Sequence, residues 1–291
     1  MANLRGKTVD TTFLSLDMAR ERGFIHRDYL AHCFRWTHVA KFMHQAGRYK
    51  TAHLLDVGCG REAPLPKLLF ASRLTHTTGS YTGVDYGPCE RPSTISDTTD
   101  KFNATFLPKT DFVKAKLPRD KYDVITSFEV LEHVEPFHSY SMLKRMRSLM
   151  HTGSTAFIST PCYEAATGAA ANHVNEMSYV ALEAMIKLAG LRISTVYGTF
   201  ASQKDYKKLL SPNDRAMFDK LGEYYDSNVL ACIFAPLFPA ESRNCLWVLN
   251  YAAKPELPTV KGLDAALHSN SAEWSSHWAR IIADAKKEMR K

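Results

Sequence analysis

Glu129, Glu132 and His133 stand together in the run Glu129-Val130-Leu131-Glu132-His133. At positions i, i+3 and i+4 of a helix, their side chains converge on one side. Two carboxylates and an imidazole make a mixed oxygen and nitrogen donor set that suits Mg²⁺ or Mn²⁺ better than a thiolate-seeking metal. A fourth ligand is at hand in Asn172-His173-Val174-Asn175-Glu176, which follows Ser159-Thr160-Pro161. An ion held by Glu129, Glu132, His133 and His173 would lower the pKa of a hydroxyl and orient it. Without an ion, His133 or His173 is the candidate general base, since imidazole titrates near neutral pH. Glu132, His133 and His173 are therefore the candidate catalytic residues.

The elements that must position these groups are short and apolar. His53 to Gly60 reads HLLDVGCG, an apolar run that stops at Asp56 and enters a loop with Gly58 and Gly60. A buried parallel strand has this pattern, and the two glycines allow a sharp turn and close approach to a ligand. A nucleotide-like cofactor is the first expectation. Tyr81 to Asp85 reads as a second strand ending in an acid, suited to gripping ribose hydroxyls. Asp111-Phe112 falls before a third element, and Tyr122 to Phe128 is a fourth strand. Strand ends aligned on one sheet edge are where open α/β sheets bind ligands.

LLDVGCG at Leu54 to Gly60, GVD at Gly83 to Asp85, the Asp111-Phe112 pair and YDVITSFEVLEHV at Tyr122 to Val134 together resemble the class I S-adenosylmethionine-dependent methyltransferases. The resemblance implies a Rossmann-like α/β fold with a seven-stranded, mostly parallel sheet and helices on both faces. It implies that Asp56, Gly58 and Gly60 hold the methionine part of S-adenosylmethionine and that Asp85 holds the ribose. Asp111 and Phe112 would flank adenine, with Ser127 and Phe128 beneath the sulfonium. Glu62 stands where many members have a third glycine, and Pro64 and Pro66 follow. The Glu-x-x-Glu-His run further resembles two metal-assisted O-methyltransferase groups, the ubiquinone-biosynthesis type and the small-RNA 3′-terminal 2′-O type. In both, the cluster binds a divalent ion, and His173 occupies a place comparable to a histidine of the RNA enzymes. The aromatic and basic signature around that histidine is not evident here. Related enzymes that bind no metal also carry Leu-Glu-His, which then orients loops or substrate by hydrogen bonds.

Composition sets the outer limits. A chain of 291 residues with 45% hydrophobic residues can fill a substantial core, which excludes a disordered or fibrous protein. The six cysteines form no CxxC pair, as expected of free thiols in a reducing compartment. No signal peptide is evident, and the apolar run Val229 to Pro239 is too short to cross a bilayer. The expectation is a soluble cytoplasmic protein without membrane contact. A net charge of +7 would favour polyanions, but the cations are scattered among 30 acids, as on an ordinary solvated surface.

Taken in order, residues 1–50 form an N-terminal helical cap, with Phe13, Leu14 and Leu16 as anchors and a helix over Arg27 to Ala46. His26, His32, His38 and His44 recur every six residues, which spreads them around that helix in surface or core roles. The cofactor core spans 51–200. Within it, the polar stretch between Gly87 and Asn103 reads as a loop or short irregular helix, and Pro136 to Met150 as a helix. Ala156 to Thr160 is the fifth strand, Gly168 to Asn172 a loop, Glu176 to Ala189 a helix and Leu191 to Phe200 the sixth strand. Residues 201–244 are an inserted helical lid, built around Tyr206 to Leu210 and Asn213 to Tyr225. The resemblance implies that the last core strand, within 245–254, runs antiparallel. Residues 255–291 end in a helix whose stripe of Trp274, Trp278, Ile281 and Ala285 docks on the domain or meets a second copy.

The expected reaction is direct displacement by a hydroxyl oxygen on the sulfonium methyl, for which alignment and exclusion of water matter most. Cys162 and Tyr163 read as pocket walls. A nucleic-acid methyltransferase is the first alternative, and a non-catalytic S-adenosylmethionine-binding module the second. The acceptor, small molecule or nucleic acid, is not named by the sequence.

Overall fold

The computed structural model describes residues 27–45, 51–71, 79–90, 103–201, 207–225, 227–257 and 269–290. The proposed anchors Phe13, Leu14 and Leu16 and most of the polar stretch after Gly87 lie outside them. Seven strands form one sheet: β1 His53–Val57, β2 Ser80–Val84, β3 Asn103–Leu107, β4 Tyr122–Phe128, β5 Met150–Pro161, β6 Leu191–Ala201 and β7 Ser242–Tyr251. Their order is β3-β2-β1-β4-β5-β7-β6, with β7 antiparallel to both neighbours and β1 to β5 mutually parallel. The chain winds outward from β1 in one direction and from β4 in the other. The carboxyl ends of β1 and β4 therefore flank a crevice left uncovered where the winding reverses.

Seven α-helices accompany the sheet among the described residues: α1 Arg27–Gln45, α2 Pro64–Ala71, α3 Pro136–Ser148, α4 Tyr179–Leu188, α5 Pro212–Leu221, α6 Ser227–Phe234 and α7 Trp274–Met289. On one face α3, α4 and α7 bury Tyr140, Leu143, Met146, Met185, Ile186, Trp278 and Ile281. On the other, α1 and α2 bury Val39, Met43, Leu65 and Leu69 against Leu54, Val124 and Phe157. Buried on both sides, β1 is apolar almost throughout, as central parallel strands are. Pro136 starts α3, where its missing N–H is no loss, and Ser178 Oγ caps α4 by accepting from the Ala181 N–H at 3.2 Å.

Several boundaries differ from the sequence reading. The third strand ends at Leu107, so Asp111 and Phe112 follow it, as the resemblance implies, and do not precede a third element as the pattern of residues suggests. Pro64 and Pro66 begin α2, because proline is tolerated in the first turn of a helix. The apolar run from Val229 belongs mainly to α6, which with α5 builds a small core of Phe218, Leu230, Ala231, Phe234 and Ala235. Residues 202–206 are outside the described residues, and Lys207 to Leu209 form a turn rather than a helix. The stripe of α7 is not a dimer surface. Trp274, Trp278, Ile281 and Ala285 are buried within the chain, and Lys144 of α3 pairs with Asp284 at 2.6 Å and Glu288 at 3.0 Å. Among the described residues, no helix is long and apolar enough to cross a membrane.

Candidate active site

A cavity of about 910 Å³ opens at the carboxyl ends of β1 and β4. Asp56, Gly58, Gly60, Asp85, Asp111, Phe112, Phe128, Glu129 and His133 line it, joined by His32 and Trp36 of α1. Ser127 does not line it. It alternates to the opposite side of β4 and is fully buried.

The cofactor half is shaped by backbone conformation. Gly58 and Gly60 both take left-handed φ, +73° and +71°, which glycine adopts without steric cost. A Cβ on Gly58 would sit 2.2 Å from Val130 Cγ2, so no side chain fits between β1 and the turn after β4. The Gly58 N–H donates to the Val84 carbonyl at 2.7 Å, tying the loop to β2. Asp85 Oδ2 accepts from the Gly60 N–H at 2.8 Å and Oδ1 from the Gly87 N–H at 2.7 Å. The carboxylate thereby fixes both loops while facing the cavity. Asp56 acts differently: Tyr81 Oη donates to Oδ2 at 2.8 Å and Thr126 Oγ1 to Oδ1 at 2.7 Å. It joins β2, β1 and β4 from within, and its burial pushes the carboxyl up to about 6 against those two hydrogen bonds. Asp111 Oδ1 accepts from the Val113 N–H at 3.0 Å, turning the chain so that Phe112 is buried at the cavity wall.

The acidic and imidazole cluster is not the continuous helix that its spacing suggests. After β4 the chain turns at Glu129, whose φ is +56°, and only Leu131–His133 forms a short 3₁₀ helix. Left-handed backbone at a non-glycine residue is costly and marks an imposed turn. As a result, Glu129 parts from the other three. Glu132, His133 and His173 bring one ligand atom each to within 4.8 Å of one another, and Glu129 does not join them. Its Oε1 accepts from Arg35 Nη1 at 2.9 Å and Ser159 Oγ at 2.8 Å, and its Oε2 from Asn244 Nδ2 at 2.9 Å.

The triad itself is oriented by its surroundings. Glu132 is 1% exposed, and Thr160 Oγ1 donates to its Oε2 at 3.0 Å. Burial first, and the Glu129 charge second, raise its carboxyl well above the usual range. The backbone N–H groups of Val174 and Asn175 donate to the Glu132 carbonyl at 2.9 and 3.1 Å, which brings the His173 loop over the 3₁₀ turn. His133 Nδ1 lies 3.3 Å from the Asn172 carbonyl and His173 Nδ1 lies 2.5 Å from Glu176 Oε1. A carbonyl and a carboxylate only accept, so each Nδ1 donates, which leaves Nε2 as the ring nitrogen on offer to an ion. Burial holds the His133 ring below its ordinary pKa, which keeps it neutral at pH 7. Metal-binding histidines are oriented in this way, with the second ring nitrogen donating to a carboxylate or carbonyl.

Sequence reasoning missed Arg35, Thr160, Glu176 and Asn244. An arginine amid the apolar residues of α1 was the visible signal for the first; the others become partners only through the fold. Analogy with methyltransferases offers α1 as a cap that contributes to substrate binding, without naming residues; the His32 ring stacks on Trp36 at 5.3 Å and both line the cavity.

A family model described as a methyltransferase domain matches residues 27–210, more than half of the chain, and the chain belongs to that family. It is an S-adenosylmethionine-dependent methyltransferase of the class I, Rossmann-like kind. Among solved structures, the small RNA methyltransferase HEN1 is 17% identical with a TM-score of 0.51, covering 77% of this chain and 26% of that one. Magnesium protoporphyrin IX methyltransferase from Synechocystis PCC 6803 with bound SAM is 13% identical with a TM-score of 0.48, covering 82% and 92%. A Burkholderia thailandensis 1,6-didemethyltoxoflavin N1-methyltransferase is 11% identical with a TM-score of 0.45, covering 81% and 85%. At these identities the likeness is one of fold. No curated protein sequence matches the chain.

Proposed function

We propose that the chain methylates a hydroxyl oxygen of a small acceptor, assisted by a divalent ion held by Glu132, His133 and His173. The observation that carries this reading is that Glu132, His133 and His173 bring one ligand atom each to within 4.8 Å of one another, with His133 on the cavity wall. When bound, S-adenosylmethionine supplies an electrophilic methyl group, and Mg²⁺ or Mn²⁺ would acidify the attacking hydroxyl. The residues around it provide alignment. Gly58 and Gly60 admit the methionine part closely, Asp85 offers oxygens to ribose hydroxyls, and Phe112 with Asp111 forms the adenine end. His133, neutral and fixed by the Asn172 carbonyl, also stands where a base would take the hydroxyl proton if no ion binds.

The acceptor reading rests on charge. Apart from the residues assigned to the cofactor, the cavity wall carries Glu129 and Glu135 and, among the described residues lining it, no lysine or arginine. Such a wall disfavours a phosphate chain, so a neutral or cationic small molecule is preferred to a nucleic acid. We further propose a cytoplasmic location and the division into cap, core, lid, last strand and extension given above.

The test is methyl transfer from isotopically labelled S-adenosylmethionine to a panel of catechols, phenols, sugars and short RNAs. It is run in excess chelator and after Mg²⁺ or Mn²⁺ is restored. Oxygen-methylated product that depends on the ion is expected with a small acceptor. Undiminished turnover in chelator would remove the metal and leave the histidine-base mechanism.

A further inference from the structure

Glu129 has the spacing of a ligand and the contacts of something else. Resting on the reading above, we propose that Arg35 and Asn244 are positioning residues that use Glu129 to anchor α1. In this assignment Glu129 belongs to the clamp that holds the acceptor wall and not to the metal set.

Both Glu129 oxygens are engaged. Oε1 takes hydrogen bonds from Arg35, Ser159 and Asn244 at 2.9, 2.8 and 3.1 Å, and Oε2 takes one from Asn244 at 2.9 Å. Asn244 turns its Oδ1 back to Arg35 Nη1 at 3.3 Å and to Thr199 Oγ1 at 2.8 Å. The network thus ties one helical residue to the segment after β4 and to β5, β6 and β7. Arg35 is 1% exposed, and a buried guanidinium must be held by a counter-charge. Its other terminal nitrogen meets His32 Nδ1. His32 and Trp36 lie on either side of Arg35 along α1, and their stacked rings face the cavity. Where the clamp sets Arg35, it sets these rings, which offer a flat surface to a planar acceptor in the cavity that His133 also lines. The left-handed turn at Glu129 is what aims its carboxylate toward α1.

The experiment compares the full chain with Glu129→Ala, Glu132→Ala and the double variant Arg35→Met/Glu129→Gln, which strands no buried charge. Mn²⁺ binding is followed by electron paramagnetic resonance in the presence of S-adenosylhomocysteine, and hydrogen exchange is measured over residues 27–45. Glu132→Ala should weaken Mn²⁺ binding on the order of 100-fold, whereas Glu129→Ala and the double variant stay within about threefold. Both clamp variants should speed exchange in α1 by about tenfold or more while leaving residues 131–134 unchanged. Should Glu129→Ala fail to fold, the double variant decides alone. Mn²⁺ affinity that falls with Glu129 as it does with Glu132 would overturn the assignment, and so would unchanged exchange in α1. If the parent chain binds no Mn²⁺, the metal reading fails, and α1 exchange still decides the clamp in either direction.

Discussion

The two walls of the cavity are put together differently. On the cofactor side, Gly58, Gly60 and Asp85 come from two adjacent parallel strands, and backbone conformation with hydrogen bonds between neighbouring loops shapes them. On the acceptor side, Arg35, Glu129, Glu132, Ser159, His173 and Asn244 come from segments far apart in the chain, and side chains hold one another. A wall made by local turns depends on the two glycines that allow those turns and on few side-chain partners elsewhere. A wall made by a buried polar network fails at any member, because each leaves its partners unsatisfied. Single substitutions should therefore cost stability mainly on the acceptor side and cofactor affinity mainly on the other.

The largest effect should follow from breaking the network at its charge. Arg35→Met leaves Glu129 with no cationic partner in the clamp, and removing one member of a buried pair costs about 3–5 kcal/mol. Urea unfolding should show that loss, reduced toward the Glu129 end, which is about one quarter exposed. Adding Glu129→Gln should recover much of it. If the double variant is no more stable than Arg35→Met alone, the two residues do not act as a pair.

Asp56 gives the matching test inside the sheet. Its carboxyl rises from 3.8 to about 6 because burial outweighs the bonds from Thr126 and Tyr81. The folded state thus holds this proton more tightly than the unfolded one. The stabilisation is full below the unfolded pKa of 3.8 and is lost as pH rises through about 6. At about 1.4 kcal/mol for each pKa unit the swing is roughly 3 kcal/mol at most. Asp56→Asn should flatten stability between pH 4 and pH 6.5 relative to the parent chain, measured by urea unfolding at each pH. An equal slope in both proteins would show that the group titrates normally.

The same contrast explains what could be read in advance. LLDVGCG and GVD are contiguous, and a strand followed by a tight turn is specified by the residues within it, so β1, β2 and their loops were legible. The antiparallel last strand followed from the resemblance, which put it at Cys245 to Ala253, and the structure forms it over Ser242–Tyr251. Two glutamates and a histidine at helical spacing were legible as residue types but not as a geometry. The left-handed Glu129 separates them, and nothing local announces that turn. Asn244 and Arg35 could not have been found at all by spacing, since only the pairing of β7 beside β5 and the packing of α1 bring them to Glu129. β3 was displaced in the reading because a short, partly exposed strand carries little apolar pattern.

On the cofactor side, Asp85→Ala should weaken S-adenosylhomocysteine binding on the order of 100-fold, or about 2.7 kcal/mol. Stability should fall less than for Arg35→Met, because the Gly60 N–H that it releases lines the cavity and the Gly87 N–H belongs to a half-buried residue, so water can replace the carboxylate. Calorimetry that finds affinity unchanged would take the ribose role away from Asp85.

The smallest effect should come from behind His173. Glu176 Oε1 receives His173 Nδ1 and also the Ala170 N–H at 3.0 Å, so it fixes the ring's tautomer and the loop that carries it. Glu176→Gln keeps the shape and can still accept, but without charge it polarises the imidazole less and can present its amide nitrogen instead. Mn²⁺ affinity should drop by about tenfold, the low end for residues that orient ligands, with the melting temperature little changed. A loss as large as that of Glu132→Ala would make the histidine's orientation, rather than its mere presence, the limiting feature of the triad. No loss would mean that His173 is held by its backbone contacts alone, through the Asn270 Nδ2 donor to its carbonyl at 2.7 Å.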